Sequence, residues 1–214
     1  MRRFILISII SLAPVHAAFA DWSAYFGAGA VYSNLESNSF TQDTGPNSET
    51  TVGSFKDSAT GWQLFGGFMF TDNFGLAAKY YDSGEAKDEW VGVESTVTDP
   101  GPPPITTDTL ISFSGDMQIT GYTLYVVQTV PVTKRTEFTL ELGYADQDID
   151  FNVASIPFTG PIKRDDQGFA VGGIFRYKFL KFMAISGEVE YLTINFGGLI
   201  ERPLRFALNL EAHF

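Results

Sequence analysis

From Leu204 to Phe214 the chain alternates without a fault. Leu204, Phe206, Leu208, Leu210, Ala212 and Phe214 share one face, and Arg205, Ala207, Asn209, Glu211 and His213 share the other. Period-2 alternation predicts a β-strand with unlike surroundings on its two sides. The same rhythm recurs over 22–32, 61–70, 74–82, 117–130, 136–146, 168–179, 183–196 and 203–214. Tilted strands of roughly ten residues cross the hydrocarbon of a bilayer, and eight of them close the smallest membrane barrels.

The segments between these stretches sort by length. Residues 71–73, 131–135 and 180–182 are short; 33–60, 83–116 and 147–167 are long and polar; 197–202 is a shorter fourth. Long and short alternate along the chain, as do the extracellular loops and periplasmic turns of transmembrane barrels. The pattern predicts an all-β, transmembrane, eight-stranded antiparallel up-and-down β-barrel with both termini periplasmic. Within 83–116, residues 89–98 and 105–113 each read as strand, broken by Asp99-Pro-Gly-Pro-Pro-Pro104. Strands three and four are expected to run on past the membrane as a projecting hairpin, a disordered loop being the alternative. Trp90 lies in that hairpin and reads as a surface contact residue, whereas Trp22, Trp62, Tyr80 and Tyr191 read as interfacial aromatic girdles.

The beginning of the chain supports the same environment. Met1-Arg2-Arg3, an apolar run to about Ala13 and Ala18-Phe-Ala20 form the pattern of a secretory signal peptide. Residues 1–20 are therefore expected to be a leader and 21–214 a single barrel domain. Cysteine is absent, which excludes disulfides and thiolate chemistry, while 20 Phe and 9 Tyr suit strands that face lipid. The formal charge of −11 becomes −13 once Arg2 and Arg3 leave with the leader, which argues against binding nucleic acid or anionic lipid through a basic patch.

The cost of misplacing a charge assigns the two faces. A Lys or Arg facing lipid at the bilayer midplane costs about 2–4 kcal/mol. Lys79, Arg176, Lys178 and Arg205 are thus expected inside with Glu141, Glu188, Glu190 and Glu211. So small a lumen holds side chains or one small ligand. A plugged interior crossed by ion pairs follows, with Lys178 and Glu211, near strand ends, read as reaching water.

Catalytic and metal chemistry find little support. With His16 in the leader, His213 remains, at the periplasmic end and away from outer-leaflet lipid A, so the chain reads as no enzyme and needs no cofactor. Asp146, Asp148 and Asp150 open like a calcium loop, but Phe151 and Pro157 occupy the positions of its Gly and Glu. As outward strand residues they are candidates for binding divalent cations that bridge to lipopolysaccharide phosphates; otherwise they form a solvated acidic edge.

Several segments resemble the OmpA-like outer-membrane barrel family, the porin-like family of eight-stranded β-barrel domains. They are Ala24-Tyr-Phe-Gly-Ala-Gly-Ala30, Phe65 to Tyr80, Leu142-Gly143, Gly172-Gly-Ile-Phe-Arg-Tyr177 and Glu188-Val-Glu-Tyr191. The resemblance implies an up-and-down barrel in the Gram-negative outer membrane with a polar, largely closed interior. It also implies a final strand whose terminal aromatic, here Phe214, is read by the barrel-assembly machinery. Glu190 sits at the family's interior Glu. Ala77, Val127, Ala212 and His213 depart from its pattern, so the interior network must be rewired. The expected function is structural and non-enzymatic: a monomer in lipid and lipopolysaccharide whose loops meet an extracellular ligand, or, as the alternative, a narrow porin-like channel for small solutes.

Overall fold

The computed structural model describes residues 22–45, 47–99, 105–154, 159–196, 198–200 and 203–214. The proposed leader and Pro100–Pro104 lie outside these residues. Ten strands are formed: β1 (Ser23–Glu36), β2 (Phe40–Gly45), β3 (Ser48–Val52), β4 (Lys56–Met69), β5 (Phe74–Asp99), β6 (Ile105–Pro131), β7 (Thr136–Ala154), β8 (Thr159–Leu180), β9 (Met183–Leu192) and β10 (Leu204–His213). Every pairing is antiparallel.

Eight of the strands form a ring. β1 pairs with β4 on one side and β10 on the other, so Gly27 lies between Phe65 and Glu211. From β4 the order runs β5, β6, β7, β8, β9 and back to β10. The result is an eight-stranded up-and-down barrel, the arrangement that satisfies every backbone group within hydrocarbon. Short turns at 70–73, 132–135 and 181–182 share one end. Alternation holds around the wall: on β9, Ala184, Ser186, Glu188 and Glu190 are buried while Ile185, Val189 and Tyr191 face out.

The strands reach further than the alternating stretches suggested. β5 and β6 stay paired to Asp99 and Ile105, so the projecting hairpin is present. The 147–167 segment is not a plain loop, because β7 and β8 continue through it to Ala154 and Thr159. Its inward residues Gln147, Ile149, Phe151 and Val153 keep the period of the wall, while the outward acids give the segment its loop-like composition. The 33–60 segment holds the end of β1, the β2–β3 hairpin and the start of β4. Read as one loop, it conceals a fork: β4 stays with β1 up to Lys56, so β3 pairs with the upper part of β5 instead.

A bulge marks the fork. Asp82 pairs with Thr120 and Glu85 with Gln118, leaving Ser83 and Gly84 opposite Ile119 alone. Gly84 has φ +71°, and a Cβ there would stand 2.3 Å from the Thr60 carbonyl oxygen. Only glycine turns the chain here at low cost. Ser83 Oγ accepts from the Ile119 N–H at 2.8 Å, and Asp82 Oδ1 accepts from the Gly84 N–H at 2.8 Å. The extra residue reverses the alternation of β5. Below it the odd residues Lys79, Tyr81 and Ser83 are buried; above it Ala86, Trp90 and Gly92 take the inside.

Candidate functional site

The site is the column of side chains that fills the barrel and the arm above it. Nearest the short turns, Arg176 Nε meets Glu211 Oε2 at 2.6 Å, and Arg176 Nη1 reaches Glu137 Oε2 at 3.4 Å and Thr139 Oγ1 at 3.3 Å. Glu211 also accepts from Ser186, and His213 Nε2 lies 3.2 Å from it. The Arg176 guanidinium rests over the Tyr25 ring at 5.2 Å. Glu211 is 1% exposed, so the expectation that it reaches water is wrong: β1 and β10 close around it. Lys178 does not sit free in water either; it pairs with Glu137, a partner the interior inventory omitted.

At mid-height Lys79 stands among three carboxylates. It contacts Glu188, lies 3.1 Å from Glu141 and 3.8 Å from Glu190, and sits 4.6 Å from the Tyr125 ring centre. Gln63 Nε2 donates to Glu188 and to Asn209 at 2.8 Å each, and Asn209 Nδ2 donates to Glu188 at 3.1 Å. Above this level Arg205 Nη1 lies 3.2 Å from Glu190 Oε2 and its guanidinium covers the Tyr81 ring at 3.6 Å. Tyr81 in turn hydrogen-bonds Ser33 at 2.5 Å. Lys79, Glu141, Arg176, Glu188, Glu190, Arg205 and Glu211 are thus brought together as one inward population, each at most 4% exposed. Buried charges cost several kcal/mol unless paired, which gives these contacts their structural weight.

Residue-type counting overlooked Gln63, Asn209, Glu137, Tyr25, Tyr81 and Tyr125. All six continue the inward parity of their strands, the signal that would have found them. Tyr125, for example, is two residues from Val127, and Asn209 lies between Arg205 and Glu211 on the same face.

Above the membrane level the interior becomes apolar. Trp90 stacks on Phe113 and Phe151, ring centres 6.0 Å apart in each case, and meets Phe55 edge-on at 5.6 Å. Trp90 is 8% exposed, so it is no surface contact residue; the β5 bulge turns it inward. Met117, Leu35, Ile194 and Ile200 are buried in the same hydrophobic core.

The three outward aspartates do not converge. Asp146 accepts from the Tyr122 hydroxyl at 2.8 Å and from Gln167 at 3.1 Å, Asp150 pairs with Lys163, and Asp148 lies opposite Asp165. Among the described residues no group of three or more His, Asp or Glu could hold a metal ion. Partial burial, then Asp146 and Asp165, push the Asp148 carboxyl above its ordinary value. Higher on the arm, a cleft of about 590 Å³ opens where β6 parts from β7, bordered by Asp88, Glu89, Asp116 and Asn152.

The wall, its lipid-facing exterior and its paired interior agree with one comparison above all: the model of the outer membrane protein beta-barrel domain matches residues 4–213. The chain belongs to this family. Membership places this outer-membrane barrel protein in the Gram-negative outer membrane. Among solved structures, the barrel is similar to Ail, the attachment invasion locus protein of Yersinia pestis, with TM-score 0.53, 12% identity and coverage of 91% of this chain and 99% of that one. It is also similar to OprG of Pseudomonas aeruginosa, with TM-score 0.51, 14% identity and coverage of 89% and 96%. Neisserial surface protein A gives TM-score 0.50, 9% identity and coverage of 89% and 95%. At such identities the likeness is one of fold. No curated protein matches the chain.

Proposed function

We propose that the protein is a monomeric, non-enzymatic outer-membrane barrel with a plugged lumen, and that its arm makes contacts at the cell surface. In this reading residues 1–20 are the export leader of the 21–214 barrel, Phe214 is the mark read by the assembly machinery, and the short turns and termini face the periplasm. The observation that supports it is the succession of paired and packed side chains along the interior: Arg176 with Glu211, Lys79 with its three carboxylates, Arg205 on Tyr81, then the cap around Trp90. His213, with its ring against Glu211 and Tyr25, has a structural place at the short-turn end.

The arm offers a partner more than the wall does. From Ile105 to Phe113, β6 has β5 on one side and no strand of the described residues on the other. Such an edge can receive a partner strand. Leu110, on that edge, is 75% exposed, and Asp88, Glu89 and Asp116 line the adjoining cleft with Lys87, which pairs with Glu85. These charges favour a neutral or basic partner. Ail has been solved with the heparin analogue sucrose octasulfate, but a polyanion of that kind would be repelled by this arm.

A second reading, a narrow solute path, is favoured by one observation. The Gln147 amide, the Tyr125 hydroxyl and the Arg205 guanidinium are buried without a hydrogen-bond partner among the described residues. Planar-bilayer recordings of the refolded barrel separate the two. No steady unitary current is expected; steady currents would overturn the plugged reading.

A further inference from the structure

We propose that the short-turn rim binds the phosphate headgroups of anionic phospholipids through Lys134, Arg135 and Lys181. The first ground is which cations are left over. Among the described residues Lys56, Lys79, Lys87, Lys163, Arg176, Lys178 and Arg205 have an acidic partner, and Arg164 donates to the Phe196 carbonyl. Among the described residues no ion pair or hydrogen bond engages the side chains of Lys134, Arg135 or Lys181, and all three are exposed. They are not scattered: all three stand at one end of the barrel.

The second ground is adjacency. Thr136 pairs with Tyr177, and the Lys178 N–H donates to the Arg135 carbonyl at 2.7 Å, so the end of β8 abuts the β6–β7 turn. Lys181 lies in the next turn, whose Phe182 carbonyl accepts from the His213 N–H at 2.9 Å. Of the nearby anions, Glu137 is held by Lys178 and Arg176, and Asp72 lies in the β4–β5 turn, across the end of β6, where the Thr129 N–H donates to the Asn73 carbonyl at 2.8 Å.

The third ground is height. Tyr177, Phe179 and Phe182 flank the cations with 40%, 41% and 57% of their surface exposed. Aromatic side chains of this kind occupy the membrane interface, so the three cations stand at headgroup level, where lipid phosphates are unavoidable neighbours. At the other end the outward face carries Asp146, Asp148 and Asp165. The barrel is polarised along its axis, basic at the turns and acidic at the arm.

Each juxtamembrane cation contributes roughly fivefold to binding an anionic surface. The test is native mass spectrometry of the refolded barrel in mixed micelles containing phosphatidylglycerol or phosphatidylcholine. Retention of phosphatidylglycerol should exceed that of phosphatidylcholine by about tenfold or more. The triple variant Lys134→Gln, Arg135→Gln, Lys181→Gln should lose that preference, and each single variant should lower it. Lys56→Gln, Lys87→Gln, Lys163→Gln at the far end should keep it. A rim variant that still prefers phosphatidylglycerol, or an equal loss from both triples, would overturn the proposal. So would complete displacement of the lipid by inorganic phosphate at the same concentration, which would mean that the rim reads phosphate alone. A heat-modifiable band confirms that each variant has folded, and the single variants serve if the triple does not fold.

Discussion

Lys79 shows what one residue holds in place. It is the cation nearest to Glu141 and Glu188 and adds to Arg205 at Glu190. Replacing it with Met leaves these acids short of a counter-charge, and breaking such a buried arrangement costs about 3–5 kcal/mol. Urea unfolding in micelles should register that loss, and Lys79→Met with Glu188→Gln should recover part of it. Asp148 gives a pH effect of definite sign. Its carboxyl titrates above its ordinary value because of partial burial first and of Asp146 and Asp165 second. A raised carboxyl stabilises the folded arm at low pH, and the stabilisation is lost as pH rises through the carboxylate range. Amide exchange in β7 and β8 above Asp146, corrected for intrinsic rates, should therefore speed up from acid to neutral pH, and Asp148→Asn should remove most of the change. Inward charges such as Glu190 and Arg205 were legible in the sequence because alternation and the cost of lipid exposure act on every residue separately. Glu137 shares the face of Glu141, but its pairing with Lys178 and Arg176 was not legible, since it depends on which strand end stands beside it.

At the scale of the element, the β5 bulge explains the largest misreading. Carried upward without a break, the alternation of Lys79 and Tyr81 would put Glu85, Lys87 and Glu89 inside and Trp90 outside. Ser83 and Gly84 reverse it, and Trp90 enters the aromatic cap. A bulge has a weak sequence signature, here one glycine in a polar run, whereas the wall strands declare themselves by repetition. The β2–β3 hairpin was hidden for a similar reason: Ser48–Val52 is short and polar, and it reaches β5 only above the point where β4 leaves that strand. Deleting Gly84 should restore the plain alternation and dismantle the cap. Tryptophan emission should shift to the red and trypsin should cut at Lys87, while the band stays heat-modifiable. Trp90→Ala should cost about 3–5 kcal/mol within the cap, the usual range for a buried aromatic, read as faster proteolysis of the arm.

For the whole molecule, two fillings of different chemistry share one wall. Ion pairs occupy the interior at membrane level and aromatic packing occupies it above. Neither depends on the other for its partners. Replacing 85–116 with a short turn should therefore leave a heat-modifiable barrel that still passes no steady current in planar bilayers. If that trimmed barrel conducts, the cap rather than the charge network is the seal.

The fork at Gly84 also bears on how this surface can change over generations. Below it, inserting one residue would drive a Lys or Glu into lipid, so the length of the wall is under tight selection. At the bulge the count between β5 and β6 already slips by one residue, and the frame above is set locally by packing around Trp90. Mutations that lengthen or shorten the arm are thus confined there rather than passed down the strand. A lineage under pressure from its surroundings can rework the exposed part of this protein while inheriting its membrane part unaltered.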